Sequence, residues 1–248
     1  MQKHLIYSSS VLLILLFFIV GCGNKALQLK RQGDQAYMSS NLSGAISSYK
    51  QSLALNPMAP YANLQHGAVL VDMKRFDEAK PYLLKADKLL PNNFLVKYDI
   101  ARMYLGQDEI DLAIKYLTEC MRLNASFPLA YNAMGIANLK NMEQEKALEW
   151  FNKALKIDPN FGEANYNIAV TYFAQEKFIK AAQQFQEVAN RWQALKLDAL
   201  HDVIVCYRKL KRKAERAKNT NLINKYIRLS QDATKKFIAA GGSIADMK

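Results

Sequence analysis

The 248-residue sequence predicts an all-α solenoid of five helix pairs closed by a sixth, C-terminal capping pair. Three observations predict it. A period of 34 runs without a slip through blocks that begin at Ala26, Pro60, Phe94, Pro128 and Gly162. Three positions of each block repeat in kind. Beyond residue 195 apolar residues keep helical spacing but leave the register.

The chain opens on a charged segment with Lys3 and His4, followed by an apolar run from Val11 to Val20. Ten apolar residues are too few to span a bilayer, and the grammar is that of a secretory signal over residues 1–21. The closing residues Ile19-Val20-Gly21-Cys22 resemble the bacterial lipobox. The resemblance implies cleavage before Cys22, acylation of its thiol and of the new amino terminus, and stable anchoring by several acyl chains. Residues 22–25 then form a very short linker.

The five blocks are 26–59, 60–93, 94–127, 128–161 and 162–195. Their eighth residues are small: Gly33, Gly67, Ala101, Gly135 and Ala169. Their twentieth are all alanine: Ala45, Ala79, Ala113, Ala147 and Ala181. Their twenty-fourth are bulky: Tyr49, Leu83, Leu117, Phe151 and Phe185. Small residues let two helices approach, and a bulky one fills the groove beside them. Pro57, Pro91 and Pro159 stand at the thirty-second position, where a missing N–H stops a helix. Ala125 and Gln193 replace that proline in blocks three and five, and Gln144 replaces an apolar residue at the seventeenth position of block four. Slightly irregular stacking is expected there.

These residues resemble the tetratricopeptide repeat, a helix-turn-helix unit of this length. The resemblance covers residues 26–195 and implies a right-handed solenoid whose first helices, the A helices, line a concave groove. One pair cannot bury its apolar face alone, whereas stacked pairs share a continuous core.

Residues 196–248 hold Leu197, Leu200, Val203, Ile204, Tyr207 and Leu210, then Leu222, Ile223, Tyr226, Ile227, Ala233 and Phe237, at helical spacing. They read as a degenerate sixth pair, about two turns longer, that caps the stack. This cap is basic. The chain carries +12, or +11 without Lys3; thirteen Lys and Arg face five Asp and Glu from residue 196 onward. Its densest run is Arg208, Lys209, Lys211, Arg212, Lys213, Arg216 and Lys218, opposed by Glu215. A solvated helix face is the plain reading. Contact with anionic headgroups or an acidic partner is the functional one, and an export signal argues against nucleic acid.

No catalytic constellation is visible. His4, His66 and His201 are scattered, and no Cys, His and Asp cluster has metal-ligand spacing. No nucleophile elbow, zinc-protease motif or phosphate-binding glycine loop occurs. Cys120 and Cys206 read as small core residues rather than a disulfide pair. The expectation is a non-enzyme without cofactor, metal or small-molecule substrate.

By resemblance, function lies in the groove, lined by positions two, five, nine, twelve and thirteen of the A helices. Here those positions include Lys30, Asp34 and Tyr37, then Tyr61, Leu64 and Val71, then Tyr98, Arg102 and Leu105. Leu129, Asn132, Ile136 and Leu139 follow, then Tyr166, Val170 and Phe173; Leu200, Ile204 and Tyr207 continue the row in the cap. Aromatic rows suit a helix or extended segment of a protein client, although aromatic stripes also pack between helices. The carboxylate clamp of chaperone-binding repeats is not reproduced: Lys30 stands at a fifth position, but the matching ninth is Asp34.

Lipobox, repeat number and length together resemble the type IV pilus biogenesis lipoproteins. That implies a pilotin-like role: bringing a secretin to the outer membrane and aiding its assembly. A lipoprotein scaffold for cell-wall enzymes or proteases is the alternative. Gly23 after the lipidated cysteine implies, by resemblance to the enteric sorting rule, the periplasmic face of the outer membrane.

Overall fold

The computed structural model describes residues 24–243 and 245; the signal segment and Cys22 lie outside them. The described residues form helices and no strand. The A helices are α1 (24–38), α3 (Pro60–Asp72), α5 (Phe94–Gly106), α7 (Pro128–Lys140) and α9 (Gly162–Ala174). The B helices are α2 (Leu42–Leu55), α4 (Phe76–Leu89), α6 (Ile110–Leu123), α8 (Gln144–Ile157) and α10 (Phe178–Arg191). A 3-10 turn, Gln193–Leu195, leads into α11 (Lys196–Arg216) and α12 (Thr220–Ala239). No described helix is long and apolar enough to cross a membrane.

Local chemistry sets the boundaries. Pro60 and Pro128 open α3 and α7, where a proline sacrifices no intrahelical bond. Asn41, Asn93 and Asn219 cap α2, α5 and α12, each accepting from a first-turn N–H. Every A-to-B turn is closed in one way. The residue before each B-helix cap has a positive φ: Ser40, Lys74, Asp108, Met142, Glu176 and Lys218. The next N–H then reaches back five residues, as from Arg75 to the Leu70 carbonyl at 2.8 Å and from Asn219 to the Ala214 carbonyl at 3.0 Å. This is the Schellman closure, made here without the usual glycine. In the sixth pair it comes later, because α11 has 21 residues where α9 has 13.

Within each pair the repeating positions meet. The five alanines of the twentieth position are 0% exposed, and the five bulky residues of the twenty-fourth are at most 1% exposed. A Cβ on Gly33 would stand 2.5 Å from the Tyr49 ring, and one on Gly67 2.6 Å from Leu83. Gln144 begins α8 in ordinary register. Where block five lacks its proline, the chain turns through Gln193–Leu195, and the Trp192 indole donates to the Asn160 carbonyl at 2.9 Å.

The described residues divide after Asn124 into two compact units. In the first, α3 packs on α4 and α5 on α6. In the second, α7 packs on α8, α9 on α10, and α11 on both α10 and α12. One core there runs from Ala169 and Phe178 through Phe185, Val188, Val203 and Ile204 to Leu210, Tyr226 and Phe237. Cys120 and Cys206 are buried, one in each unit, and burial pushes both thiols up to about 12.

Candidate protein-binding faces

In the first unit the A helices are tied by a polar chain. The Tyr37 hydroxyl donates to Asp72 at 2.5 Å, and Asp72 accepts from the Arg102 guanidinium at 2.5 Å. Arg102 also bonds Asp99 at 3.1 Å and lies over the Tyr98 ring, 5.7 Å from its centre. Burial pushes Asp99 up to about 6 and, with the Asp72 bond, Tyr37 up to about 12. One repeat earlier Asp34 accepts from Lys30 at 2.6 Å and from Tyr49 at 2.9 Å. Lys30, Asp34, Asp72, Asp99 and Arg102 are therefore already matched within the chain. A carboxylate clamp would need cations without such partners.

Several expected groove residues sit elsewhere. Leu64, Val71 and Leu105 are buried, as are Leu200 and Ile204 in the cap, because their helical stripe faces neighbouring helices. Asn132 is also buried and accepts from Asn167 at 2.9 Å. Tyr98, Tyr166, Val170, Phe173, Leu139 and Tyr207 are half-buried. Tyr166 packs edge-on against Phe185 at 5.2 Å and donates to Asp202 at 2.5 Å. Phe173 packs on Phe178 at 5.2 Å. These aromatics spend much of their surface on their own unit.

What remains open is the second position of the A helices. In the first unit Leu27, Tyr61 and Leu95 are 50%, 53% and 40% exposed, beside Tyr37 at 36%. In the second unit Leu129 and Leu197 are both 38% exposed, and Glu163 takes the place between them. Tyr61 and Leu129 were expected in the groove. Leu27, Leu95 and Leu197 were not named there, although they hold the same second position, apolar in five of six blocks. A cleft of about 390 Å³ opens beside Leu27 and Tyr61, with Lys30, Arg31, Asp34 and Pro60 in its wall.

The basic run lies on the far part of α11 and its turn. Lys209, Arg212, Lys213, Arg216 and Lys218 are exposed, as is Arg208; Lys211 is half-buried and pairs with Glu215 at 3.2 Å. Among the described residues no group of three His, Cys, Asp or Glu could hold a metal ion.

Residues 60–93 and 96–127 match the family model described as tetratricopeptide repeat, and residues 143–176 match one described as TPR repeat. Among curated proteins, the mitochondrial import receptor subunit TOM70 of Rattus norvegicus is 23% identical over 177 residues, 71% of this chain. The match spans 28% of that receptor's length. Among solved structures, PilW, a type IV pilus biogenesis factor, has TM-score 0.68 at 15% identity, covering 86% of this chain and 97% of PilW. Pseudomonas aeruginosa pilF has TM-score 0.61 at 15% identity, covering 88% of this chain and 97% of its own. At such identity the likeness is one of fold. The first two repeat matches follow the α3–α4 and α5–α6 pairs, and the third spans α8 and α9, a B helix and the A helix after it.

Proposed function

We propose that this protein is a non-catalytic, membrane-anchored scaffold that holds a protein client on the open faces of its A helices. The observation that carries this is the recurrence of an exposed large apolar residue at one register position: Leu27, Tyr61, Leu95, Leu129 and Leu197. Apolar side chains that recur at one exposed register position mark a partner surface. Within each unit, exposed side chains at one register can serve as apolar anchors for a client segment. Because Lys30, Asp34, Asp72 and Arg102 are satisfied internally, the client is read mainly through apolar side chains.

In our reading the anchor is the acylated Cys22, and the site of work is the periplasmic face of the outer membrane. The clients we favour are components of a type IV pilus or secretin-type envelope complex. Two features support that choice: the lipobox residues, and a chain that matches PilW and pilF over 97% of their lengths. The test is affinity capture from solubilised envelopes with the full chain, beside a Cys22→Ser form. A pilus or secretin subunit should be enriched by the parent. Enrichment of cell-wall hydrolases instead would move the protein to a different envelope machine. An unmodified Cys22 in mass spectrometry of the N-terminal peptide would remove the anchor.

A further inference from the structure

The end of the α11–α12 hairpin overruns the repeat that supports it. Only residues 192–195 join α10 to α11, yet α11 has 21 residues and α10 has 14. The excess of seven residues is about 10 Å of helix. A narrow apolar seam holds this overhang, with Leu210 and Ala214 on α11 and Ile223 and Tyr226 on α12 within the same core. The opposite face of α11 carries Lys209, Arg212, Lys213 and Arg216 at exposed positions, and the turn adds Lys218. Leu222, 37% exposed, lies in the first turn of α12.

We propose that this overhang binds a surface of anionic lipid headgroups. Each Lys or Arg near such a surface contributes attraction that falls off within a Debye length. A projecting finger with its α11 cations on one face suits a plane of charges, which demands no fixed geometry. An exposed leucine on α12 suits the headgroup boundary, where an apolar side chain can enter. Nucleic acid fits less well. The finger exposes no aromatic ring for stacking: Tyr226 is buried and Tyr207 half-buried. The proposal rests on the membrane-anchored reading for its choice of surface and is independent of where the client binds.

The experiment is co-sedimentation of the full chain with vesicles of phosphatidylcholine alone and of phosphatidylcholine mixed with phosphatidylglycerol, at low and high salt. The apolar run near the N-terminus adds equally to both vesicle types, and Lys3 is common to parent and variant, so their comparison isolates the finger. The parent should prefer the anionic vesicles by roughly tenfold or more at low salt and lose the preference at high salt. The variant Lys209→Gln, Arg212→Gln, Lys213→Gln, Arg216→Gln should lose the preference while keeping its helical circular dichroism. A parent without preference, or a folded variant that retains it, overturns the proposal. So does tighter binding of the parent to a short DNA duplex or to polyglutamate than to the anionic vesicles at equal salt. If the variant sheds the vesicles but still captures the client, the groove reading stands; if the parent fails on vesicles, only the finger is lost.

Discussion

A Cβ built on Gly135 would stand 2.4 Å from Cε1 of the Phe151 ring, so the glycine of α7 and the ring of α8 occupy one another's only space. Phe151 is 0% exposed and cannot retreat into solvent. Gly135→Ala should therefore destabilise by about 1–2 kcal/mol through overpacking, even though alanine favours a helix by up to ~1 kcal/mol. Repeat five accommodates Ala169 with Phe185, so a small helix shift limits the loss. Pairing Gly135→Ala with Phe151→Leu reproduces the combination Ala101 and Leu117. Urea titrations of the four proteins should give a favourable coupling of about 0.5 kcal/mol or more. Simple additivity would mean that the two positions do not share this space.

Met142 has φ 61° and is 86% exposed, so its side chain packs against little while its backbone sits in the left-handed region. That region costs a residue with a Cβ roughly 1–2 kcal/mol, and glycine is spared it. Glycine's greater freedom in the unfolded chain offsets part of the gain. Met142→Gly should raise stability by about 0.5–1 kcal/mol in the same titrations. A loss would show that Met142 is held by contacts beyond its own backbone.

His66 is buried between the rings of Tyr49 and Tyr82, at 6.4 and 4.4 Å between centres. Burial, with the Arg75 and Lys50 cations, lowers its pKa to about 4, only weakly opposed by Glu78. Its folded value is thus below its unfolded one. The unfolded chain takes up a proton near pH 6.5 that the folded chain refuses, so stability falls from there down to about pH 4. Asp99, raised to about 6, acts oppositely: the folded chain takes the proton first, and stability rises as pH falls from 6 toward the unfolded value. Comparing the parent with His66→Phe cancels the Asp99 contribution. The stability difference between them should shift by about 2 kcal/mol in favour of the variant between pH 7.5 and pH 5. A difference independent of pH would mean that His66 titrates normally.

The helical repeat was legible because it needs only residue size: Ala45 to Ala181 and Tyr49 to Phe185 recur at fixed spacing, and each pair closes on itself. The turn closures were hidden, since Ser40, Lys74, Asp108, Met142 and Glu176 share a conformation but no side-chain chemistry. The candidate faces were read in part. Tyr61 and Leu129 were in the expected row, but so were Tyr98, Tyr166 and Phe173, because a helical stripe cannot tell an inward aromatic from an outward one. What turns those two inward are partners supplied by other elements: Asp202 and Phe185 for Tyr166, and Phe178 for Phe173. The chain Tyr37–Asp72–Arg102 is likewise a relation between repeats, 35 and 30 residues apart, invisible to any pattern within one helix.

The central claim is that the open second-position residues hold the client. The direct measurement is affinity capture from solubilised envelopes by three full-length proteins: the parent, Leu27→Ser with Tyr61→Ser and Leu95→Ser, and the four-glutamine finger variant. All three residues of the row are at least 40% exposed, so the first variant should keep its helical circular dichroism. Large apolar anchors cost ~2 kcal/mol or more each when truncated at a buried interface. The account predicts that the row variant loses the parent's client by at least roughly tenfold while the finger variant retains it. Retention by the row variant, with loss by the finger variant, would contradict the account and make the basic overhang the client site.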